Sequence, residues 1–315
     1  MSLMKAVRIQ KYGGPDVLVY EDAPRPVAGD GEVLIRVHAT SVNPFDCAAR
    51  AGYMAGWFNY AFPLILGLDV AGVVEQVGVG VTNFGLGEAV YGRANAGRNG
   101  AYAEYITLKA DEAVAKPQSI DYLHAAAIPH VLLTAWAALI DIGNVSAGQT
   151  VLIHGAAGGV GHIAVQLAKW RGARVIGTAS AGNLAFLREL GVDEAIDYTA
   201  APFESVVSGV DVALDTVGGD TYDRSFGVLK PGGLLLSTVQ QPTEEKATAR
   251  GVRQSFVMAM QAGQVALTEV AALVDAGLIK PAVSTVLPLQ DARRAHELVE
   301  GKHTRGKVVL AVVVS

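Results

Sequence analysis

Residues 151–180, VLIHGAAGGVGHIAVQLAKWRGARVIGTAS, carry the spacing with the most chemical content in the chain. An apolar run ends in Ala156-Ala157-Gly158-Gly159-Val160-Gly161 and a helical pattern follows at once. Backbone N–H groups at such a helix start can point at a phosphate, with the helix dipole behind them. Gly158 leaves room for close approach of a pyrophosphate, and Gly161 lets the helix pack on its strand. Ala156 stands where a glycine opens the GxGxxG fingerprint, so the motif alone is weak. Its surroundings strengthen it: Ile163, Ala164, Leu167 and Ala168 share one helical face, Gly172 closes the helix, and ARVIGTA follows at the spacing of a βαβ unit. At the end of that second strand an NAD site offers a carboxylate to the ribose 2′-OH. Gly177-Thr178-Ala179-Ser180 offers hydroxyls and no carboxylate, which favours NADP(H), although no Arg lies between 175 and 187 to reinforce the choice. Ser180 reads equally well as the N-cap of a helix beginning near Asn183, and the two readings are compatible.

The elements that must hold this cradle can be read from periodicity. Residues 4–116 alternate short β-type runs (KAVRIQ, VLVYE, GEVLIRVHA, DVAGVVEQVG, EAVYG, AYAEYITL) with turn clusters, the pattern of an antiparallel β-rich unit. The run from Asp121 to Asn144 is helical and interrupted at Pro129. From 151 onward VLIHG, ARVIGTA, VDVALDTV and GLLLSTV are buried apolar strands separated by helical segments, which predicts a doubly wound parallel sheet and an α/β fold. Gln264–Gly277 and Leu289–Glu300 predict further helices, and KVVLAVVV a closing strand.

The chain has 315 residues, 51% of them hydrophobic, enough for two cores. A net charge of −5 without a basic stripe argues against nucleic acid or an anionic membrane surface as partner. No apolar run reaches the ~18 residues of a membrane span, and the first residues lack a signal-peptide pattern; Met4 is the expected native start. A single cysteine, Cys47, excludes an internal disulfide and a CxxC metal knuckle and fits a reducing compartment, so the cytoplasm is expected.

Five stretches, GEVLIRVHATSVNPFDCAARAGY, PLILGLDVAGVVEQVGVGVTNFGLGEAVYG, the cradle, KPGGLLLST and TRGKVVL, together resemble the zinc-independent branch of the medium-chain dehydrogenase/reductases over nearly the whole chain. The resemblance is strongest to the quinone oxidoreductases, the zeta-crystallin-like group. It implies a GroES-like β-rich domain over residues 1–123, a Rossmann NADP-binding domain over 124–262, and a return to the first domain over 263–315. The late position of the cradle follows, because the substrate-side domain comes first. In the zinc branch a Cys and a His hold the catalytic metal at the positions of Asn43 and Leu68, neither of which serves as a ligand. Residues 92–104 contain no cysteine for the structural zinc lobe, and no i, i+4 histidine pair replaces it.

The implied reaction is therefore metal-free hydride transfer from NADPH to a quinone or an α,β-unsaturated carbonyl. Reduction of an enone or enoyl double bond and non-enzymatic NADPH binding are the alternatives. The expected cofactor residues are Thr134, Ala157, Gly158, Gly159, Val160, Thr178, Ser180, Tyr198 and Lys307, with Lys302, Arg305 and Lys307 reading either as phosphate contacts or as a solvated turn. Asn43 is expected to offer its amide near the nicotinamide or substrate, or else only to end a strand before Pro44. Asp46 and Arg50 are read as an i, i+4 pair on the next helical turn. Tyr53 is the phenol expected near the substrate, within the aromatic stretch Tyr53, Trp57, Phe58, Tyr60 and Phe62, which reads as a stacking lid or as ordinary packing. Cys47 has no sequence-adjacent His to activate it, and His130 reads as a cleft residue or, more simply, a capping or core one. A homodimer is expected from the family.

Overall fold

The computed structural model describes residues 2–258 and 263–313; the expected domain boundary at residue 262 and the last residue of KVVLAVVV lie outside the described residues. The chain divides into two compact units. One comprises Met1–His130, Gly263–Ala276 and Pro281–Ser315; the other comprises Val131–Ala262 and Gly277–Lys280.

The first unit opens with β1 (Leu3–Ile9), β2 (Val19–Pro24), β3 (Glu32–Val42), α1 (Pro44–Ala51), β4 (Leu64–Ile65), β5 (Asp69–Val77), β6 (Ala89–Arg93), β7 (Tyr105–Lys109), β8 (Ala113–Ala115) and α2 (Tyr122–Ala126). The second opens within α3 (Pro129–Trp136), which runs on into a π-helical segment at Ala137–Ile142. It continues through β9 (Thr150–His154), α4 (Gly159–Trp170), β10 (Arg174–Ala179), α5 (Leu184–Glu189), β11 (Glu194–Asp197), β12 (Val210–Asp215), α6 (Asp220–Ser225), β13 (Leu229–Ser237), α7 (Glu244–Arg250) and β14 (Arg253–Phe256). The chain returns with α8 (Gln264–Asp275), β15 (Val283–Pro288), α9 (Ala292–Glu300) and β16 (Lys307–Ala311).

In the first unit the larger sheet has the order β15-β16-β3-β5-β6-β8, with β7 also on β3. Alternation decides its faces. Val33, Ile35 and Val37 of β3 pack with Val70, Val74, Val90 and Ile106. Val42, Val308 and Leu310 join a different core with Met4, Ile9, Cys47, Leu64, Ala292 and Ala295. The C-terminal strand β16 lies antiparallel on β3 with Val308 opposite Val42, which brings Lys307 alongside the end of β3 and the start of α1.

The second unit is a six-stranded parallel sheet of order β11-β10-β9-β12-β13-β14, the doubly wound arrangement in which the strand order reverses between β9 and β12. Leu152, Ile176, Ala213 and Leu235, one from each of four strands, share a core with Phe203, Tyr222 and Phe226. In such a sheet ligands bind beyond the C-terminal strand ends at the reversal. The GroES-like and Rossmann architectures predicted above are both present.

Candidate functional site

In the second unit the turn from β9 into α4 forms the cradle. Gly155 sits at φ +67°, and a Cβ there would stand 2.5 Å from Thr216 Oγ1, so the strand can leave the sheet at this point only through glycine. Sequence reading placed the first motif position at Ala156 and passed over Gly155. At Gly161 a Cβ would lie 2.2 Å from the Gly155 carbonyl oxygen, which explains how closely α4 packs on the end of β9. Gly158 is the N-cap of α4, extended and without a side-chain cap, so the first-turn amides of Gly159 and Val160 carry the dipole end of a twelve-residue helix. Ala157 is buried against the turn. These residues fit a pyrophosphate.

The hydroxyl end of β10 is more mixed than its sequence suggests. Thr178 is buried and its Oγ1 lies 3.1 Å from His154 Nδ1, while His154 Nε2 reaches Ser225 Oγ at 3.0 Å. The Thr178 side chain therefore serves the sheet face rather than the strand end. Burial, with Arg224 nearby, lowers His154 to about 3 and keeps it neutral. Ser180 follows β10 and Tyr198 follows β11, strands paired with Ala179 opposite Asp197, so the two residues are brought together; Tyr198 is exposed. The Ser180 hydroxyl accepts from Asn183 Nδ2 at 3.2 Å and makes no backbone cap; a short 3-10 turn (Ala181–Asn183) follows it, and Asn183 precedes α5. Asp197, which sequence reading did not single out, accepts from the hydroxyl and the backbone N–H of Thr199 and from the backbone of Ala181, and these bonds hold its carboxyl below the ordinary range. An anion thus stands beside the Ser180 turn. Thr134 is buried within α3.

The first unit holds a buried polar hub around Asn43. Asn43 caps α1: its N–H and its Nδ2 both donate to Asp46 Oδ2, at 2.8 and 3.3 Å. Nδ2 also donates to Asp69 Oδ2 at 2.8 Å, and Oδ1 accepts from Lys307 Nζ. Both ends of the amide are engaged inside the hub, so Asn43 spends on protein partners the hydrogen bonds that sequence reading had offered to a substrate. Asp69 Oδ2 further accepts from Ser41 Oγ at 2.5 Å, and Oδ1 from the His130 N–H at 2.7 Å. His130 thus opens α3 on Asp69, and its Nδ1 accepts from Arg93 Nε at 3.2 Å. Burial pushes the Asp69 carboxyl up, but Lys307 and the surrounding donors outweigh it and hold it below the usual range. At Asp46 burial, with Asp69 close by, outweighs the Asn43 hydrogen bonds and the Lys307 charge and raises the carboxyl to about 7.

Three expectations are corrected here. Lys307 is neither on a solvated turn nor free for a phosphate, because it is 3% exposed and its ammonium is taken up by Val42 O, Asn43 Oδ1 and Asp69 Oδ2. Asp46 and Arg50 form no i, i+4 pair; Arg50 runs the other way, to Glu300 at 2.5 Å, to the Gly13 carbonyl and to His296 Nδ1 at 3.1 Å. Cys47 has a histidine after all, His296 Nδ1 at 3.4 Å, brought from 249 residues away. Burial still pushes the thiol up to about 12, so the histidine does not activate it.

Tyr53 lies just past α1, 77% exposed, its N–H closing the helix end on the Ala48 carbonyl. Trp57 is also exposed. The rest of the aromatic stretch packs: Phe58 stacks on Tyr60 and meets Phe45 edge-on, and Phe62 meets Tyr12.

Comparison with known proteins places these two units in a family. Residues 29–118 match the family described as alcohol dehydrogenase GroES-like domain, and residues 190–310 the one described as zinc-binding dehydrogenase. The chain is 33% identical to the mitochondrial NAD(P)H oxidoreductase RTN4IP1 of Danio rerio, over 99% of this chain and 92% of that protein. It is 34% identical to the 2-haloacrylate reductase of a Burkholderia species, over 98% of this chain and 99% of that protein. The solved quinone oxidoreductase from Coxiella burnetii superposes with a TM-score of 0.93 at 36% identity, covering 99% of this chain and all (100%) of that one. The Escherichia coli quinone oxidoreductase complexed with NADPH superposes at 0.88 with 29% identity, covering 98% of this chain and 100% of that one. Cradle, sheet orders and full-length likeness agree: the chain belongs to the medium-chain dehydrogenase/reductase family, among its quinone oxidoreductase-like members, and is an NAD(P)H-dependent oxidoreductase.

Proposed function

We propose that this enzyme reduces quinones with NADPH and without zinc. The observation that carries the reading is the cradle itself, a glycine turn at the reversal of a doubly wound sheet, followed by a strand end bearing Ser180 and no carboxylate of its own. The likeness to a quinone oxidoreductase that binds NADPH supports it. Asp197 beside that strand end makes the preference for NADPH over NADH a moderate one.

When bound, the nicotinamide supplies the hydride. The chain's own residues supply the rest: amides of Gly159 and Val160 hold the pyrophosphate, and Ser180 with Tyr198 reads the adenosine ribose. The positions that hold the catalytic metal in the zinc branch do not fit one. The Asn43 amide is engaged at both ends, Leu68 is a buried aliphatic, and no group of three His, Cys, Asp or Glu side chains among the described residues is placed to hold an ion. A conjugated acceptor tolerates this, since it spreads the incoming charge onto its own oxygen.

Likeness to a 2-haloacrylate reductase favours a second reading in which an activated carbon–carbon double bond is the acceptor. Initial rates of chelator-treated enzyme with NADPH decide between them: turnover of 1,4-benzoquinone or 9,10-phenanthrenequinone supports the first reading. Turnover of 2-alkenals or haloacrylates alone supports the second, and loss of all activity restored by zinc overturns both. We carry a homodimer and a cytoplasmic location as part of the proposal. No helix among the described residues is long and apolar enough to cross a membrane.

A further inference from the structure

Asp215 ends β12 wholly buried, and its carboxylate ties together two loops that leave the second unit's sheet side by side. Oδ1 accepts from the Val217 N–H at 3.0 Å and from the Gly218 N–H at 2.9 Å, and Oδ2 from Ser237 Oγ at 2.9 Å. Ser237 ends β13, the parallel neighbour of β12, and its oxygen accepts in turn from the N–H groups of Val239 at 3.3 Å and Gln240 at 3.0 Å. Gln240 Oε1 closes the ring by accepting from the Gly219 N–H at 2.9 Å. Residues 216–219 and 238–240 are thereby held as one piece, and that piece abuts the cradle. Thr216 Oγ1 donates to the His154 carbonyl at 2.8 Å, and a Cβ on Gly155 would stand 2.5 Å from Thr216 Oγ1 and 3.4 Å from Val217 Cγ2. On its outer side Val217 and Val239 are 54% and 55% exposed, two apolar side chains just past the ends of neighbouring strands.

The sheet order says what this piece faces. β9 carries the cradle; β10, with Ser180 beyond its end, lies on one side of it, and β12 followed by β13 lies on the other. A dinucleotide whose pyrophosphate sits at the cradle and whose adenosine ribose is read at the end of β10 must send its other half across β12 and β13. We propose that Asp215 is a positioning residue: it fixes loops 216–219 and 238–240 before the cofactor arrives, so that Val217 and Val239 receive the nicotinamide half without a cost of ordering. The proposal rests on the cofactor reading above and extends it to the half of the site that no glycine motif marks.

The test compares a whole cofactor with a fragment of it on Asp215→Asn. That variant keeps the shape of the side chain but, because both carboxylate oxygens lie within 3.1 Å of the Gly218 nitrogen, sets an amide N–H against the Gly218 N–H whichever way it lies. The ordering that Asp215 supplied must then come out of binding, so the Kd for NADPH, read by calorimetry, rises about 5- to 30-fold. The Kd for 2′,5′-ADP, which reaches only the cradle and the end of β10, stays within about twofold. In the apoprotein, hydrogen exchange over 216–219 and 238–240 becomes faster. Gln240→Ala cuts only the outer link and leaves Asp215 in place; it moves NADPH affinity and exchange in the same direction by less, and it keeps the test decisive if Asp215→Asn folds poorly. Equal weakening of both ligands, which a residue that merely supports the sheet would give, overturns the proposal. So does unchanged affinity for NADPH, or unchanged exchange in the two loops. Failure of the NADPH reading is seen separately, in unmodified enzyme that binds NADH as tightly as NADPH; NADH and ADP-ribose then carry the same comparison.

Discussion

Two glycines three residues apart in the cradle should fail in opposite ways when a methyl group is added. Gly158 has φ −78° and ψ −177°, extended backbone open to any residue, and the nearest atom to an added Cβ is the Gly155 carbonyl oxygen at 3.2 Å. A shift of a few tenths of an ångström accommodates it, so Gly158→Ala folds with little loss. The methyl group then occupies the space a pyrophosphate needs next to the first-turn amides. If one such charged hydrogen bond is lost, about 1.5–3 kcal/mol goes with it, a 10- to 150-fold rise in Kd for NADPH. Gly161 faces protein instead: its Cβ would lie 2.2 Å from Gly155 O, 2.7 Å from Ala156 Cα and 2.9 Å from the Ala156 carbonyl carbon, all backbone. Helix α4 must move off β9 to relieve this. Overpacking of this sort costs about 1–3 kcal/mol, or roughly 2–12 °C in Tm. Thermal unfolding and titration of NADPH fluorescence on both variants provide the check. A Gly158→Ala protein that binds NADPH as tightly as the parent, or a Gly161→Ala protein with the parent's Tm, would refute the assignment of phosphate contact to the first glycine and helix docking to the second.

Cofactor choice should turn on the paired ends of β10 and β11. Bonds from Ser180 and Tyr198 to a 2′-phosphate, about 1.5–3 kcal/mol in all, predict a 10- to 150-fold advantage of NADPH over NADH in kcat/KM. Ser180→Asp should bring that ratio to unity or below and Asp197→Asn should raise it, as steady-state kinetics with both cofactors will show; a ratio indifferent to both places 2′ recognition elsewhere. Acid stability combines two opposite signs. His154 and His296 are buried and lowered to about 3 from 6.5, so the stability they confer is full above pH 6.5 and declines as pH falls, by about 2 kcal/mol each at pH 5. Asp46, raised from 3.8 to about 7, acts in reverse: its penalty is full above pH 7 and fades towards 3.8. Urea unfolding at pH 7 and pH 5 should therefore show a steeper acid loss in Asp46→Asn than in the parent, and equal or shallower loss counts against the buried charge on Asp46. Cys47, with its thiol at about 12 and 6% exposure, should resist Ellman's reagent at pH 8 until urea unfolds the protein. Rapid labelling of the native enzyme would mean that the site opens.

What the sequence determined by itself is what local chemistry encodes. The apolar run into Gly158-Gly159-Val160-Gly161, the amphipathic helix after it and the strand ending in Ser180 are decided within thirty residues by turn conformation, periodicity and dipole, and were legible without coordinates. Strand and helix periods likewise separated the antiparallel unit from the parallel one. The tertiary structure decided the partners. Lys307 reaches Asn43 across 264 residues because β16 lies antiparallel on β3, and nothing near Lys307 in the sequence signals it. Asp69 looks like a strand's first residue until its carboxylate is seen buried among Ser41, Asn43 and Lys307. Cys47 meets His296, and Asp197 stands beside the Ser180 turn, by the same cause. Periodicity says that a strand exists and which face is apolar; which strand it pairs with, and in what register, depends on the packing of the whole unit, and there charged side chains far apart in the chain meet in a low-dielectric interior.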